Sequence, residues 1–350
     1  MLNRFITNLL SKLEEYDNIA IFVHVNPDFD AYASAFSLKR WIIDNFPESN
    51  VNLMIPEETF KEEEKFLFYV NEVLPSKYEL KNYLGIILDT SDTERVLTQL
   101  HTYCAELAII DHHPKIKGLA QMEFIDPTYP AVSQILAEIF IYLEESGGHV
   151  FNADLAQYLY AGIITDTNNF MSLSMLPSTY NVLANLVSRG LNRNVIHNSI
   201  FVKSFNFKVF TAEVIRRTHL TKNGLAYAVI DKKIIDKCKA WDFPHTAPIL
   251  ENISNVEVWT TLTYDAFSGL WKCSIRSKEL IINHVAKLYG GGGHKTMSAI
   301  SFKKKKDFFQ MLATMDEYMV NSGYSNATEK DFKFSLRLFF HKTFNLYKKI

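Results

Sequence analysis

Between residues 18 and 111, short apolar runs alternate with longer stretches in which apolar residues recur at helical spacing, and this alternation is the chain's main fold signal. Leu2, Phe5, Ile6, Leu9, Leu10 and Leu13 predict an amphipathic opening helix. A strand over residues 18–25, the Asn26-Pro27-Asp28 turn and a helix over 29–46 follow, which together form the opening half of a βαβ unit. The pattern next predicts a strand at 51–55, a charged helix at 61–71 and a strand at 83–89. Thr90-Ser91-Asp92-Thr93 offers helix caps before a short helix and a strand at 107–111. Helices at 132–145, 153–164 and 177–189 complete a mostly parallel, doubly wound α/β domain over residues 1–190.

The alternation lapses over residues 191–206, where Asn192, Asn194 and Asn198 cluster after Gly190, and the interdomain linker is placed there. A smaller α+β domain over 207–325 is predicted beyond it, with a helix at 207–217 and strands at 225–230, 256–264 and 270–275. A helix at 282–289, the run Gly290-Gly291-Gly292-Gly293-His294, a strand at 297–302 and a helix at 307–320 follow. In the tail, 326–350, apolar Phe332, Phe334, Leu336 and Leu338 alternate with polar residues. An edge strand with a basic face is expected there in preference to a nucleic-acid-binding arm.

Composition narrows the setting. A length of 350 residues suits two domains, and 47% hydrophobic with 22% charged residues is ordinary for a globular chain. A net charge of −2 gives no general attraction to a long duplex, so no stable duplex nucleic-acid partner is expected. Three widely spaced cysteines form neither a disulfide framework nor a thiolate zinc site, which points to a reducing cytoplasm. No apolar run is long enough to span a bilayer, so no membrane partner is expected, and the amino terminus reads as a helix, not a signal peptide.

The chemistry lies where apolar runs stop. Ile109-Ile110 ends in Asp111-His112-His113, Ile21-Phe22-Val23 in His24 and then Asp28 and Asp30, and Ile86-Ile87-Leu88 in Asp89. The run 161–164 ends likewise at Thr165-Asp166. Strand ends in an open α/β sheet face one crevice, where such groups converge. Side-chain alternation leads us to expect His112 and His113 to diverge and serve different ligands. His24, Asp28, Asp30, Asp89, His112 and Asp166 are then a thiolate-free metal-ligand set. Two divalent cations would relieve the repulsion among its carboxylates, and imidazole beside carboxylate favours Mn²⁺ over Mg²⁺.

Four segments in order resemble the DHH phosphoesterases, in the branch carrying a DHH-associated C-terminal domain: residues 24–31, 88–92, 111–113 and 165–167. The resemblance covers about residues 18–302. It implies one ion held by His24, Asp28 and Asp89 and a second by Asp30, Asp89, His112 and Asp166, with Asp89 bridging. His113 would then serve the substrate, orienting a phosphate oxygen or protonating the leaving alkoxide, while Asp111 orients an imidazole. Arg276, Ser277, Gly291, Gly292, Gly293 and His294 are similar to the family's substrate-binding segments, with glycine N–H groups and the Arg276 fork suited to phosphate.

Ala33 and Asn168 stand where the family commonly has Gly, and Met297-Ser298-Ala299 replaces a run of smaller residues. Asn at 168 tolerates a left-handed backbone. The resemblance implies hydrolysis of very short oligoribonucleotides from an end, with 3′-phosphoadenosine 5′-phosphate as a further substrate. The alternative is a cyclic-dinucleotide or linear-dinucleotide phosphodiesterase. A non-catalytic nucleotide sensor or nucleic-acid-binding protein would call for a damaged metal set, which this sequence does not show. The resemblance leaves a homodimer open.

Overall fold

The computed structural model describes residues 2–60, 65–115, 120–171, 175–240, 246–293 and 295–324. The basic tail and His294 therefore lie outside the described residues. The chain divides into two compact units, Met1–Val202 and Lys203–Ile350.

In the first unit, helix α1 (Leu2–Glu15) precedes strand β1 (Asn18–Phe22), helix α2 (Phe29–Asn45) and strands β2 (Asn50–Leu53), β3 (Leu84–Leu88), β4 (Glu106–Asp111) and β5 (Met122–Ile125). Helices α3 (Val132–Glu145), α4 (Ala153–Asp166), α5 (Pro177–Ser188) and α6 (Arg193–Phe201) follow. The strands lie in the order β2-β1-β3-β4-β5, and every neighbouring pair is parallel. Alternate strand residues enter different cores. Ile19, Ile21, Ile86 and Ile110 join the large core with residues of α1 to α6, whereas Ala20, Phe22, Ile87 and Ile109 pack on Leu80, Tyr83 and Val96. Short 3-10 turns, Glu79–Asn82 and Gln99–Tyr103, contribute Leu80 and the buried His101 on this smaller side.

Two expectations from periodicity change. No helix forms over residues 65–71, which are turn and irregular backbone, while 61–64 lie outside the described residues. Phe68 is fully buried against the rings of Phe29, Tyr32, Phe36 and Tyr158, and Glu72 pairs with Lys39 and accepts from Leu53 N. Tertiary packing on α2 thus overrides helical spacing. The stretch read as a linker contains α6, whose Ile196 and Ile200 are buried in the large core, so the division between units falls after Val202.

The second unit contains α7 (Phe205–Arg216), β6 (His219–Leu220), β7 (Leu225–Ile230), α8 (Lys232–Cys238), β8 (Val258–Asp265), β9 (Leu270–Ser277), α9 (Asn283–Leu288), β10 (Gly292–Gly293), β11 (Met297–Phe302) and α10 (Lys305–Asn321). Its mixed sheet runs β10-β11-β9-β8-β7-β6, with only β7 and β8 parallel among neighbours. Residues of α9 and α10 pack on one face and those of α7 and α8 on the other. Among the described residues, no helix is long and apolar enough to cross a membrane.

Candidate metal centre

Because β1 lies between β2 and β3, connections leave the sheet in opposite directions at the β1/β3 boundary and open a crevice at the strands' carboxyl ends. His24 stands just beyond β1, Asp89 immediately after β3, and His112 immediately after β4. Asp28 caps α2, accepting from Asp30 N at 3.0 Å and Ala31 N at 3.1 Å. Asp166 is the last residue of α4, so its carboxylate comes from a helix end and not from a strand.

Asp89 is the hub. Its Oδ2 lies 3.4 Å from His24 Nε2, and its Oδ1 lies 3.3 Å from His112 Nε2 and 3.5 Å from His113 Nδ1. The residue is 2% exposed and held at φ 62, a left-handed conformation uncommon outside glycine.

Second contacts aim the imidazoles. His24 Nδ1 donates to Val25 O at 2.8 Å, and His112 Nδ1 to Tyr129 O at 3.2 Å, leaving each Nε2 turned toward carboxylates. His112 Nε2 is also 3.3 Å from Asp166 Oδ2. His113 differs: its Nδ1 and backbone N both donate to Asp111 Oδ1, at 2.9 and 3.0 Å. The two histidines thus do not diverge as strand alternation predicts. Residues 112 and 113 lie past the end of β4, where Asp111 turns the chain, and both rings approach Asp89 Oδ1.

Asp30 has a second task that the sequence does not show. Its fully buried carboxylate accepts from Val132 N at 2.6 Å and Ser133 N at 2.9 Å, at the start of α3, whose own cap residue Ala131 supplies no side-chain bond. α4 approaches so closely that a Cβ on Gly162 would lie 2.1 Å from Ser133 Oγ and 2.8 Å from Asp30 Oδ1. A glycine inside a helical run is the one sequence signal for this contact, since it costs about 1 kcal/mol against alanine unless packing requires it.

The donor set fits divalent cations. His24, Asp28 and Asp89 bring ligand atoms within 4.8 Å of one another, as do Asp30, His112 and Asp166. Asp89 Oδ1 and His112 Nε2 are buried, 3.3 Å apart, and neither makes a hydrogen bond, so both lone-pair sites are left for another partner. Burial lowers the His24 and His112 pKa values, but neighbouring carboxylates outweigh it and push both up to about 10. Burial and then the Asp89 charge push Asp30 up to about 7, while burial and the Asp30, Asp28 and Asp89 charges hold Asp166 well above the usual carboxylate range. A cation bound among these groups would compete with their protons. Binding of Mn²⁺ at pH 8 is expected to release about one to two protons per chain, counted by calorimetry in buffers of different ionisation enthalpy. Proton uptake, or none exchanged, would contradict the imidazole-ligand assignment.

In the second unit, Arg276 sits on β9 and Gly292–Gly293 form β10, paired with Ala299 and Ser298 of β11. Arg276 makes no ion pair among the described residues, and its Nη1 donates to Ile275 O. Ser277 is not brought beside it. As the next residue on a strand it faces the opposite side, is 7% exposed, and its hydroxyl donates to Leu280 O. Gly291 donates its N–H to Ala286 O, and a Cβ on Gly291 or Gly293 would meet β11 carbonyl oxygens at 2.3 Å, so these two glycines also have a packing cause. Asn168 is left-handed, φ 47, and Asn169 and Phe170 continue in that region, as expected for Asn at the former position.

The DHH family, N-terminal domain, matches residues 18–163, and the DHHA1 domain matches residues 224–321. An uncharacterized protein of Mycoplasma pneumoniae is 36% identical over 323 residues, covering 92% of this chain and 98% of its own length. The bifunctional oligoribonuclease and PAP phosphatase NrnA of Bacillus subtilis is 28% identical over 313 residues, covering 89% and 97% of the two chains. An exopolyphosphatase-related protein from Bacteroides fragilis shares the fold, with a TM-score of 0.78 at 21% identity over 91% of this chain and 98% of the other.

Proposed function

The chain belongs to the DHH family, its DHH domain followed by a DHHA1 domain, and from that premise we propose that it is a two-metal phosphodiesterase acting on very short oligoribonucleotides. The observation that carries this reading is Asp89, whose two oxygens face two separate sets of ligand-type groups. Alignment with a named oligoribonuclease and PAP phosphatase over nearly the whole of both chains supports the substrate class. It also supports 3′-phosphoadenosine 5′-phosphate as a second substrate.

His24, Asp28 and Asp89 would hold one ion, and Asp30, Asp89, His112 and Asp166 the other. Imidazole with carboxylate favours Mn²⁺. When bound, the ions supply Lewis-acid polarisation of the scissile phosphate and lower the pKa of water. The protein supplies the proton for departure. Burial pushes the Asp111 carboxyl up, but the bonds from His113 outweigh it, so Asp111 stays ionised and fixes the His113 Nδ1 proton. His113 Nε2 would then protonate the leaving alkoxide, a role supported by its half-exposed side chain, which leaves room for substrate. Arg276 and the N–H groups of the glycine segment would bind a phosphate or terminal nucleotide.

The test is turnover of RNA of two to five nucleotides, a cyclic dinucleotide and 3′-phosphoadenosine 5′-phosphate, with Mn²⁺ or Mg²⁺. Short RNA is expected to be hydrolysed fastest; faster cyclic-dinucleotide turnover would transfer the assignment to that substrate, and no turnover of any would reject it. His113→Ala is expected to lower kcat by about 10²- to 10⁴-fold without loss of bound metal. Metal loss measured by mass spectrometry would instead place His113 among the ligands.

A further inference from the structure

Of the open face of β9 and β11, the chemistry above uses Arg276 alone. Register places Met297 opposite Arg276, Ala299 opposite Ser274 and Ser301 opposite Lys272, so these six residues share one sheet face. Met297, Ala299, Ser301 and Lys272 are exposed, and Ser274 and Arg276 are partly so, whereas the intervening residues of both strands are buried. On neighbouring β8 the same face is covered: Trp259 and Thr261, opposite Arg276 and Ser274, are buried. The result is a strip two strands wide, bounded by packed structure on the β8 side.

The strip has a cation at each end and small neutral side chains between Arg276 and Lys272. Four residue steps of extended strand separate these ends, about 13 Å. Lys272 Nζ donates to Ser301 Oγ at 3.2 Å, which holds the ammonium over the strip without neutralising it. Asp265, the acid whose charge acts on Lys272, has its carboxylate engaged in the hairpin turn by Phe267 N and the Ser268 hydroxyl, and the charge of Glu251 acts on Arg276 without an ion pair.

We propose that this strip extends the Arg276 contact into a phosphate track, with Lys272 binding a backbone phosphate of the substrate beyond the one assigned to Arg276. The proposal deepens the oligoribonuclease reading and rests on it for the identity of the strand. Small side chains at Ser274, Ala299 and Ser301 let a ribose-phosphate chain lie close to the sheet, and charge complementarity selects a polyanion. A dinucleotide is too short to reach both cations, so Lys272 acts on longer substrates and sets length preference.

Binding and turnover separate the two ideas. Labelled RNA of two and of four nucleotides is titrated by fluorescence anisotropy against the full chain in EDTA, where no hydrolysis occurs, using the wild type, Lys272→Glu and Lys272→Arg. The charge reversal is expected to raise the four-nucleotide Kd about tenfold more than the two-nucleotide Kd, with the Arg variant close to wild type. The salt slope for four nucleotides should fall by about 0.7 in Lys272→Glu, the value for one phosphate contact on a single strand. Equal effects at both lengths, or no binding of the four-nucleotide RNA by the wild type, overturn the track. Binding as expected without hydrolysis on adding Mn²⁺ supports the track and rejects the hydrolase reading alone.

Discussion

Asp89→Asn is expected to abolish hydrolysis, lowering kcat/KM by a factor on the order of 10³ or more, and to reduce metal content at both sites. The side chain is nearly isosteric, so packing around β3 is preserved, but the carboxylate charge shared between His24 on one side and His112 on the other is lost. Asparagine is also the better probe for a backbone reason. Position 89 sits at φ 62, a region that Asn enters readily, whereas Asp89→Ala adds about 1–2 kcal/mol of left-handed strain. The two variants should therefore be equally inactive but differ in stability, with the Ala variant melting lower. Mass spectrometry of the dialysed proteins and thermal melts in EDTA check both parts. Two retained ions with near-normal turnover in Asp89→Asn would remove the bridging role altogether.

The positions of these ligands were readable where local order carries them. His24, Asp89 and His112 follow strands whose apolar residues are buried on both faces, so the change from Ile, Val and Leu to His or Asp marks the carboxyl end of a sheet. Helices α3 and α4 were equally legible from spacing, since they place Ile135, Leu136, Ile139 and Phe140, or Leu155, Leu159 and Ile163, in one core. Long-range contacts were not. Residues 65–71 have helical spacing, yet Phe68 is drawn into an aromatic cluster on α2. Strand β5 is only Met122–Ile125, too short for alternation to stand out, and exists because β4 offers an edge. The turn of His113 back onto Asp111, and the reversal of Ser277 away from Arg276, depend on where a strand ends and which face is covered. Neither property is local to the residues concerned.

The cap that Asp30 provides to α3 is the least local feature, joining residues about a hundred positions apart, and it sets Asp30 apart from Asp166. Both carboxylates have raised pKa values, so each is electrostatically unfavourable when ionised near neutral pH in the absence of a cation. Asp166 has His112 as its close partner and accepts no backbone hydrogen bond among the described residues, so Asp166→Asn removes repulsion from Asp30, Asp28 and Asp89 at little structural cost. That variant is expected to raise the stability of the metal-free protein, by about 1 kcal/mol, while lowering activity on the order of 10²-fold or more. Asp30→Ala should do the reverse to stability. It strands two buried N–H groups at the start of α3, at about 1–3 kcal/mol each, and empties space against Gly162, which exceeds the relief of one buried charge. Urea unfolding in EDTA at pH 7.5 should order the proteins Asp166→Asn, wild type, Asp30→Ala from most to least stable, with both variants poorly active in Mn²⁺. If Asp30→Ala were as stable as Asp166→Asn, the carboxylate would be a ligand only, and the start of α3 would have to be held by other means.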